Sequence, residues 1–250
     1  MKLEHVDDLA LLRLDNGKAN ALDPTLLVWL DDTLLKLMEH DHKATVITGY
    51  DRFFSAGLDL VTLSGFDREA MLGFMRLFNR VVHRMFSHVR PLVAAVNGHA
   101  VAGGTVLALQ ADWRVGPDGD LKMGLNETQL GVGIPEPALD MMGATLTGRS
   151  LARVALHGEL HDAAACRELG LLDELVPADQ VLDRALAKAR ELAEIPAPAW
   201  AQVKQHLRGA LSATAGGVDQ QAEDRWLDTW FSDEATRRRA AAVEKLTAKS

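Results

Sequence analysis

Apolar and polar positions change period several times along the first two-thirds of the chain. Leu9 to Leu14 is a short apolar run ended by Asp15-Asn16-Gly17-Lys18, which predicts a strand and a turn. Asp23-Pro24 predicts a helix cap followed by proline at the first helical position. Leu26, Leu27, Leu30, Leu34, Leu37 and Met38 then recur at helical spacing to about Glu39. Ala44 to Thr48 and Leu92 to Val96 are unbroken apolar runs, closed by Gly49 and by Asn97-Gly98. Both predict buried strands. Arg68 to Ser87 has the pattern of a long amphipathic helix, and Gly103 to Gln110 that of a helix opened by two glycines. Strands alternating with helices predict an α/β fold.

After about Pro177 the pattern is helical throughout. Val181 to Ala193, Ala199 to Leu211, Gly217 to Phe231 and Asp233 to Leu246 all read as helices. Pro196 and Pro198 mark a break, dividing an α/β core at 1–195 from a helical region at 196–250. Such a tail has too little core of its own. It is expected to pack on the first module or on another subunit.

Composition narrows the function classes. The 250 residues are 48% hydrophobic, enough to bury a core without disulfides or metals. Lys and Arg number 27 against 35 Asp and Glu, a net charge of −8. That argues against a nucleic-acid or anionic-membrane binder. Cys166 is the only cysteine, so no intrachain disulfide forms, which fits a reducing compartment. The start, Met1 to Asp8, carries acids where a signal peptide has an apolar run, and the end is not a peroxisomal tripeptide. No stretch reaches the roughly 18 apolar residues of a membrane span. A soluble cytoplasmic protein is expected. The histidines lack metal-ligand spacing, so no metal is expected. His99, beside a glycine turn, is a pocket-wall candidate.

Three segments carry candidate chemistry. Phe54-Ser55-Ala56-Gly57-Leu58-Asp59-Leu60 follows the strand predicted at Ala44 to Thr48. Asn97-Gly98-His99-Ala100-Val101-Ala102-Gly103-Gly104 follows the strand predicted at Leu92 to Val96. In each, glycine frees backbone N–H groups and lets a ligand approach the main chain. Two such groups aimed at one point stabilise an oxyanion. The plainer reading is that the glycines only serve turns. In the third segment, Met123 to Gly131, Glu127 sits between apolar flanks. Buried there, it has a raised pKa and acts as a base on a carbon acid. From this segment alone a surface glutamate is the simpler reading.

Together these segments resemble the crotonase family, the enoyl-CoA hydratase/isomerase superfamily, from Leu9 to about Lys245. The carriers are Lys18-Ala19-Asn20-Ala21-Leu22, Ser55-Ala56-Gly57-Leu58-Asp59, Asn97-Gly98 with Gly103-Gly104, and the stretch around Glu127. The resemblance implies a spiral of ββα units with a C-terminal helical oligomerisation region, assembled as a homotrimer or a dimer of trimers. It implies an acyl-CoA thioester substrate and no separate cofactor. The N–H groups of Leu58 and Gly103 would hold the thioester oxygen. Lys18, Asn20, Ala21, Ser55, Ala56, Gly57, Asp59 and Asn126 would line the CoA and substrate path, and Lys204 or Arg237 to Arg239 would meet CoA phosphates.

One departure is informative. Hydratases of the family carry a second glutamate two residues after the glycine pair, where this chain has Val106. The stretch Leu125-Asn126-Glu127-Thr128-Gln129-Leu130-Gly131 looks like that of Δ3,Δ2-enoyl-CoA isomerases. That resemblance implies a 3-enoyl-CoA to 2-enoyl-CoA isomerisation with Glu127 as the base. Downstream, Ile134-Pro135-Glu136-Pro137 departs from the isomerase pattern. Glu136 is either a second acid, for hydration or decarboxylation, or a helix N-terminal glutamate ahead of Leu139 to Met142.

Overall fold

The computed structural model describes residues 1–215, Gly217 and residues 219–248. In chain order the strands are β1 (Lys2–Val6), β2 (Leu9–Arg13), β3 (Ala44–Thr48), β4 (Phe53–Ser55), β5 (Leu92–Ala95), β6 (His99–Val101), β7 (Trp113–Pro117), β8 (Met123–Gly124) and β9 (Glu174–Val176). The helices are α1 (Pro24–Glu39), α2 (Leu60–Leu63), α3 (Arg68–Phe86), α4 (Gly103–Leu109), α5 (Glu136–Gly143), α6 (Gly148–His157), α7 (Ala163–Leu169), α8 (Val181–Ala193), α9 (Ala197–Ala215), α10 (Gln220–Trp230) and α11 (Asp233–Thr247).

Two sheets organise the core. One has the order β1-β2-β3-β5-β7-β9, parallel except for the β1–β2 pair. The other has the order β4-β6-β8, all parallel. A large-sheet strand, a small-sheet strand and a helix recur in that order: β3, β4, α2; β5, β6, α4; β7, β8, α5. This is the expected spiral of ββα units. Parallel pairing needs a crossover between successive strands, and the small sheet and helices supply it.

The unbroken apolar runs have a simple cause. β3 and β5 are buried along their whole length because both faces are covered. Leu12, Ile47 and Ala94 face the main core with Leu30, Leu34 and Phe78. The alternate residues Leu11, Val46 and Val93 face α8 through Val181, Ala185 and Ala189. α1 starts as its sequence predicts: the Asp23 carboxylate accepts from the Leu26 N–H at 2.8 Å, with Pro24 next.

The helical tail folds back over its own core. α9 packs on α3 and α5, α10 on α3, and α11 on α2. Trp226, Leu227, Trp230 and Ala235 join the main apolar cluster. The helix expected from Gly217 begins at Gln220, and the part of that expectation on Val218 lies outside the described residues. No helix among the described residues is long and apolar enough to cross a membrane.

Candidate active site

Residues 16–22 form a brace. Ala19 and Asn20 both adopt left-handed backbone, with φ of 61° and 49°. Such strain persists only where neighbours impose it. The buried Asn20 amide donates to the Leu14 and Phe54 carbonyls at 3.1 and 3.3 Å, and its Oδ1 accepts from the Asn16 N–H at 2.8 Å. The Ser55 hydroxyl donates to the Asn20 carbonyl at 2.7 Å and accepts from the Gly57 N–H at 3.2 Å. Asn20 and Ser55 thus engage their side chains inside the protein and fix the backbone around them. Asp59 caps α2, accepting from the Val61 and Thr62 N–H groups. Lys18 is exposed, and Ala21 and Ala56 are half-buried.

That brace sets the direction of Leu58. Leu22 and Leu58 form a parallel bridge through the Leu22 N–H to Gly57 carbonyl bond at 2.7 Å and the Asp59 N–H to Leu22 carbonyl bond at 3.0 Å. A parallel bridge engages the groups on either side of the bridging residue. The N–H of Leu58 therefore faces the other way, and it finds no acceptor among the described residues. The N–H of Gly103 opens α4 and has no acceptor either.

The two turns interlock. A Cβ on Gly57, at φ +84°, would lie 3.2 Å from the Gly103 nitrogen and 2.7 Å from the Val101 carbonyl. A Cβ on Gly104 would lie 2.3 Å from the Ser55 carbonyl oxygen. Both contacts are with backbone, so neither position has room for a side chain. Thr105 joins the third segment to them: its hydroxyl donates to the Ala100 carbonyl at 2.6 Å and accepts from the Gly124 N–H at 3.0 Å. The Ala102 N–H donates to the Gly124 carbonyl at 2.8 Å. Gly124 lies three residues before Glu127, so the glutamate loop adjoins the Gly103 turn.

Glu127 is half-buried as a residue, but its Oε2 is enclosed and has no hydrogen-bond partner. Asn126 Oδ1 beside it is also enclosed and unpartnered. Burial pushes the Glu127 carboxyl up to about 7, and the hydrogen bond from its own N–H offsets only part of this. The tail holds the loop that follows. Trp226 Nε1 donates to the Gly133 carbonyl at 2.8 Å, and the Gly133 N–H donates to Thr229 Oγ1 at 2.9 Å. Arg238 Nη1 donates to the Gln129 carbonyl at 3.1 Å. Thr105, Trp226 and Thr229 are supporting residues that the sequence did not mark.

Glu136 opens α5 on the surface, where Arg225 Nε and Nη2 donate to its Oε1 at 3.0 and 2.9 Å. Val106 is buried. Lys204 is enclosed under α9, with Nζ 2.6 Å from Asp112 Oδ2, so it is not free for a phosphate. Arg237 and Arg238 pair with Glu234, and Arg239 lies over the Trp230 ring. His99 lies edge-on to Phe53, and its Nδ1 accepts from the Lys122 N–H. No cluster of three His, Cys, Asp or Glu able to hold a metal occurs among the described residues.

The interlocked turns, the spiral of ββα units and the sequence agree: the chain belongs to the enoyl-CoA hydratase/isomerase family, whose sequence profile matches residues 4–249. It is 32% identical to human mitochondrial enoyl-CoA delta isomerase 1 over 208 residues, 82% of this chain and 69% of that protein. It is 34% identical to the 2,3-dehydroadipyl-CoA hydratase of Escherichia coli K12 over 201 residues, 79% of this chain and 77% of that one. The crystal structure of human mitochondrial delta3-delta2-enoyl-CoA isomerase superposes with a TM-score of 0.93 at 27% identity, covering 100% of this chain and 98% of the other.

Proposed function

We propose that the protein is an enoyl-CoA isomerase that shifts the double bond of a 3-enoyl-CoA to the 2-position. The observation that carries the reading is the enclosed, unpartnered Glu127 carboxyl beside two interlocked turns with spare N–H groups. The Leu58 and Gly103 amides form the oxyanion hole. The Glu127 carboxylate takes a proton from the carbon next to the thioester. Negative charge moves to the thioester oxygen, giving a dienolate held by the two amides. The protonated Glu127 then returns the proton two carbons further along. One oxyanion donor is worth about 10²–10³-fold in rate. A single base serves both proton transfers, because the carbon acid and the dienolate use the same carboxyl in turn. Hydration needs a second group to activate water, and Val106 supplies none.

Residues 18–22 and 55–59, with Asn126, carry the CoA and acyl path, in large part through backbone that Asn20 and Ser55 hold in place. CoA arrives with the substrate, and no further cofactor takes part. The assembly is a homotrimer or a dimer of trimers, supported by Val203 and Leu207 of α9, which are 53% and 71% exposed. A coupled assay on 3-enoyl-CoA and 2-enoyl-CoA thioesters tests the reaction. Conversion of the first without hydration of the second is expected; efficient hydration overturns the reading. Sedimentation as a monomer at micromolar concentration overturns the assembly.

A further inference from the structure

A cavity of about 350 Å³ lies beneath α10, apart from the turns and from Glu127. Leu72, Met75 and Asn79 of α3, Pro135, and Trp226 and Leu227 of α10 line it. Its size suits part of a small molecule or an alkyl chain. Residues on or next to its lining lie against the Gly103 turn and the loop after Glu127. Phe78, next to Asn79 on α3, would lie 3.5 Å from a Cβ on Gly103. Trp226 binds the carbonyl of Gly133, six residues after Glu127.

The charged groups around the cavity are already engaged: Arg76 with Glu223, Arg80 with Asp31, Glu136 with Arg225, and Asp219 as the cap of α10, accepting from the Gln221 and Ala222 N–H groups. His83 Nε2 lies 2.8 Å from Ser212 Oγ. Asn79 is different. Its Oδ1 is enclosed with no partner, and its side chain makes no hydrogen bond among the described residues. A polar atom enclosed without a partner is costly, and a ligand group that reaches it removes the cost. The wall is otherwise apolar enough for a hydrocarbon chain.

We propose that this cavity receives the distal end of the acyl chain, and that Asn79 selects chains bearing a hydroxyl group there. The assignment rests on the acyl-CoA reading above. The enclosed Oδ1 is an acceptor, and a hydroxyl on the chain would donate to it. A plain chain fills the same space but leaves Asn79 unpaired. A site built to bond a substrate hydroxyl discriminates against the analogue lacking it.

Calorimetry with saturated acyl-CoA thioesters tests this without any turnover. The probes are a four-carbon chain, a ten-carbon chain and a ten-carbon chain with a terminal hydroxyl. The expected order of affinity is hydroxylated, plain, then short, with about tenfold between the first two, the effect of one good hydrogen bond. Asn79→Leu should bring the hydroxylated chain down to the plain chain and leave the four-carbon chain unchanged. Asn79→Ser, which keeps a hydroxyl, should retain part of the preference and serves if the leucine variant does not fold. Leu72→Trp, which narrows the cavity, should weaken both ten-carbon chains about tenfold. Equal affinity of hydroxylated and plain chains in the wild type, or equal loss for all three probes in Asn79→Leu, overturns the proposal. The expected binding order in a protein that fails to isomerise any 3-enoyl-CoA supports the cavity assignment and removes only the reaction.

Discussion

Glu127 and Glu136 stand nine residues apart on one connection, in opposite surroundings. Around Glu127 the chain turns inward: Oε2 is enclosed, no ion pair forms there among the described residues, and burial pushes its carboxyl up to about 7. Around Glu136 the chain has reached the surface, and a guanidinium grips the carboxylate in water. One carboxylate is kept poor in partners; the other is occupied. Under the proposed reaction, the contrast favours Glu127 as the proton carrier. A base must lose and regain its proton near the working pH, and isolation from water and cations brings that about. The tests below set the two regions against each other.

The largest effect is expected at Glu127. Glu127→Gln keeps the side-chain size but cannot accept a carbon-bound proton. Turnover of a 3-enoyl-CoA should fall at least 10²-fold, the lower end for a lost general base. The Leu58 and Gly103 amides are untouched, so KM should change little if chemistry limits turnover. Steady-state kinetics on one substrate reads both.

The pH dependence comes next. A base must be ionised, so kcat should fall roughly tenfold per pH unit below about 7 and level off above it. Stability should run the other way. The folded value lies above the ordinary 4.5, so the neutral carboxyl favours the fold below about 4.5, and that contribution is lost as pH rises through about 7. Glu127→Gln should therefore exceed the wild type in Tm at pH 8, with the gap closing by pH 5. The buried histidines act oppositely. His88 is pushed down to about 3, and His42 is lowered by burial, so both destabilise the fold when protonated in acid. They are common to both proteins, so the Tm difference isolates Glu127. A gap independent of pH would show that its charge is not the cause.

A smaller effect is expected at Val106. Val106→Glu restores a carboxylate where hydratases of the family have one, and should raise the ratio of hydration to isomerisation modestly. The position is buried, so the new charge needs water or a partner or it costs stability. A folded variant with no gain in hydration of a 2-enoyl-CoA would show that the pocket does not hold the water.

The sequence showed these regions unequally. β3 and β5 were legible because strands covered on both faces need continuous apolar runs. β1 was not, since Lys2, Glu4 and His5 give an edge strand a polar pattern. β7 was hidden by Arg114, a charge inside a strand, which is buried with Asp173 2.6 Å away across 59 residues and the Ala111 carbonyl 2.8 Å from its Nη1. Short α6 and α7 carry too few turns to stand out. In the site, the order of glycine turns was legible, and so was the glutamate. Its burial was not, because Asn126, Thr128 and Gln129 beside it are polar. Nor was the inward use of Asn20, whose partners Phe53 and Phe54 lie over thirty residues away. Sequence order marks where chemistry is sited, but long-range contacts decide whether a side chain faces ligand or protein.

The smallest effect is expected at Glu136, and it carries the comparison. Glu136→Gln removes a charge that Arg225 holds at 2.9 Å with both side chains about half exposed. Exposed ion pairs contribute about 0.2–1 kcal/mol, and an acid in the first turn of a helix a similar amount. Stability should fall by no more than about 1–2 kcal/mol, and more in low salt than in high. Because Glu136 also borders the cavity under α10, the kinetic comparison belongs on a four-carbon 3-enoyl-CoA, which does not reach there. With that substrate, kcat and KM should match the wild type, since no step of the proton transfer uses the outer carboxylate. A collapse of kcat in Glu136→Gln, with near-normal turnover in Glu127→Gln, would move the base to the outer carboxylate. It would also mean that Arg225 releases Glu136 during turnover, so Arg225→Ala would then raise activity. If the inner carboxylate is the base, Arg225→Ala should repeat the small stability loss of Glu136→Gln and leave turnover alone.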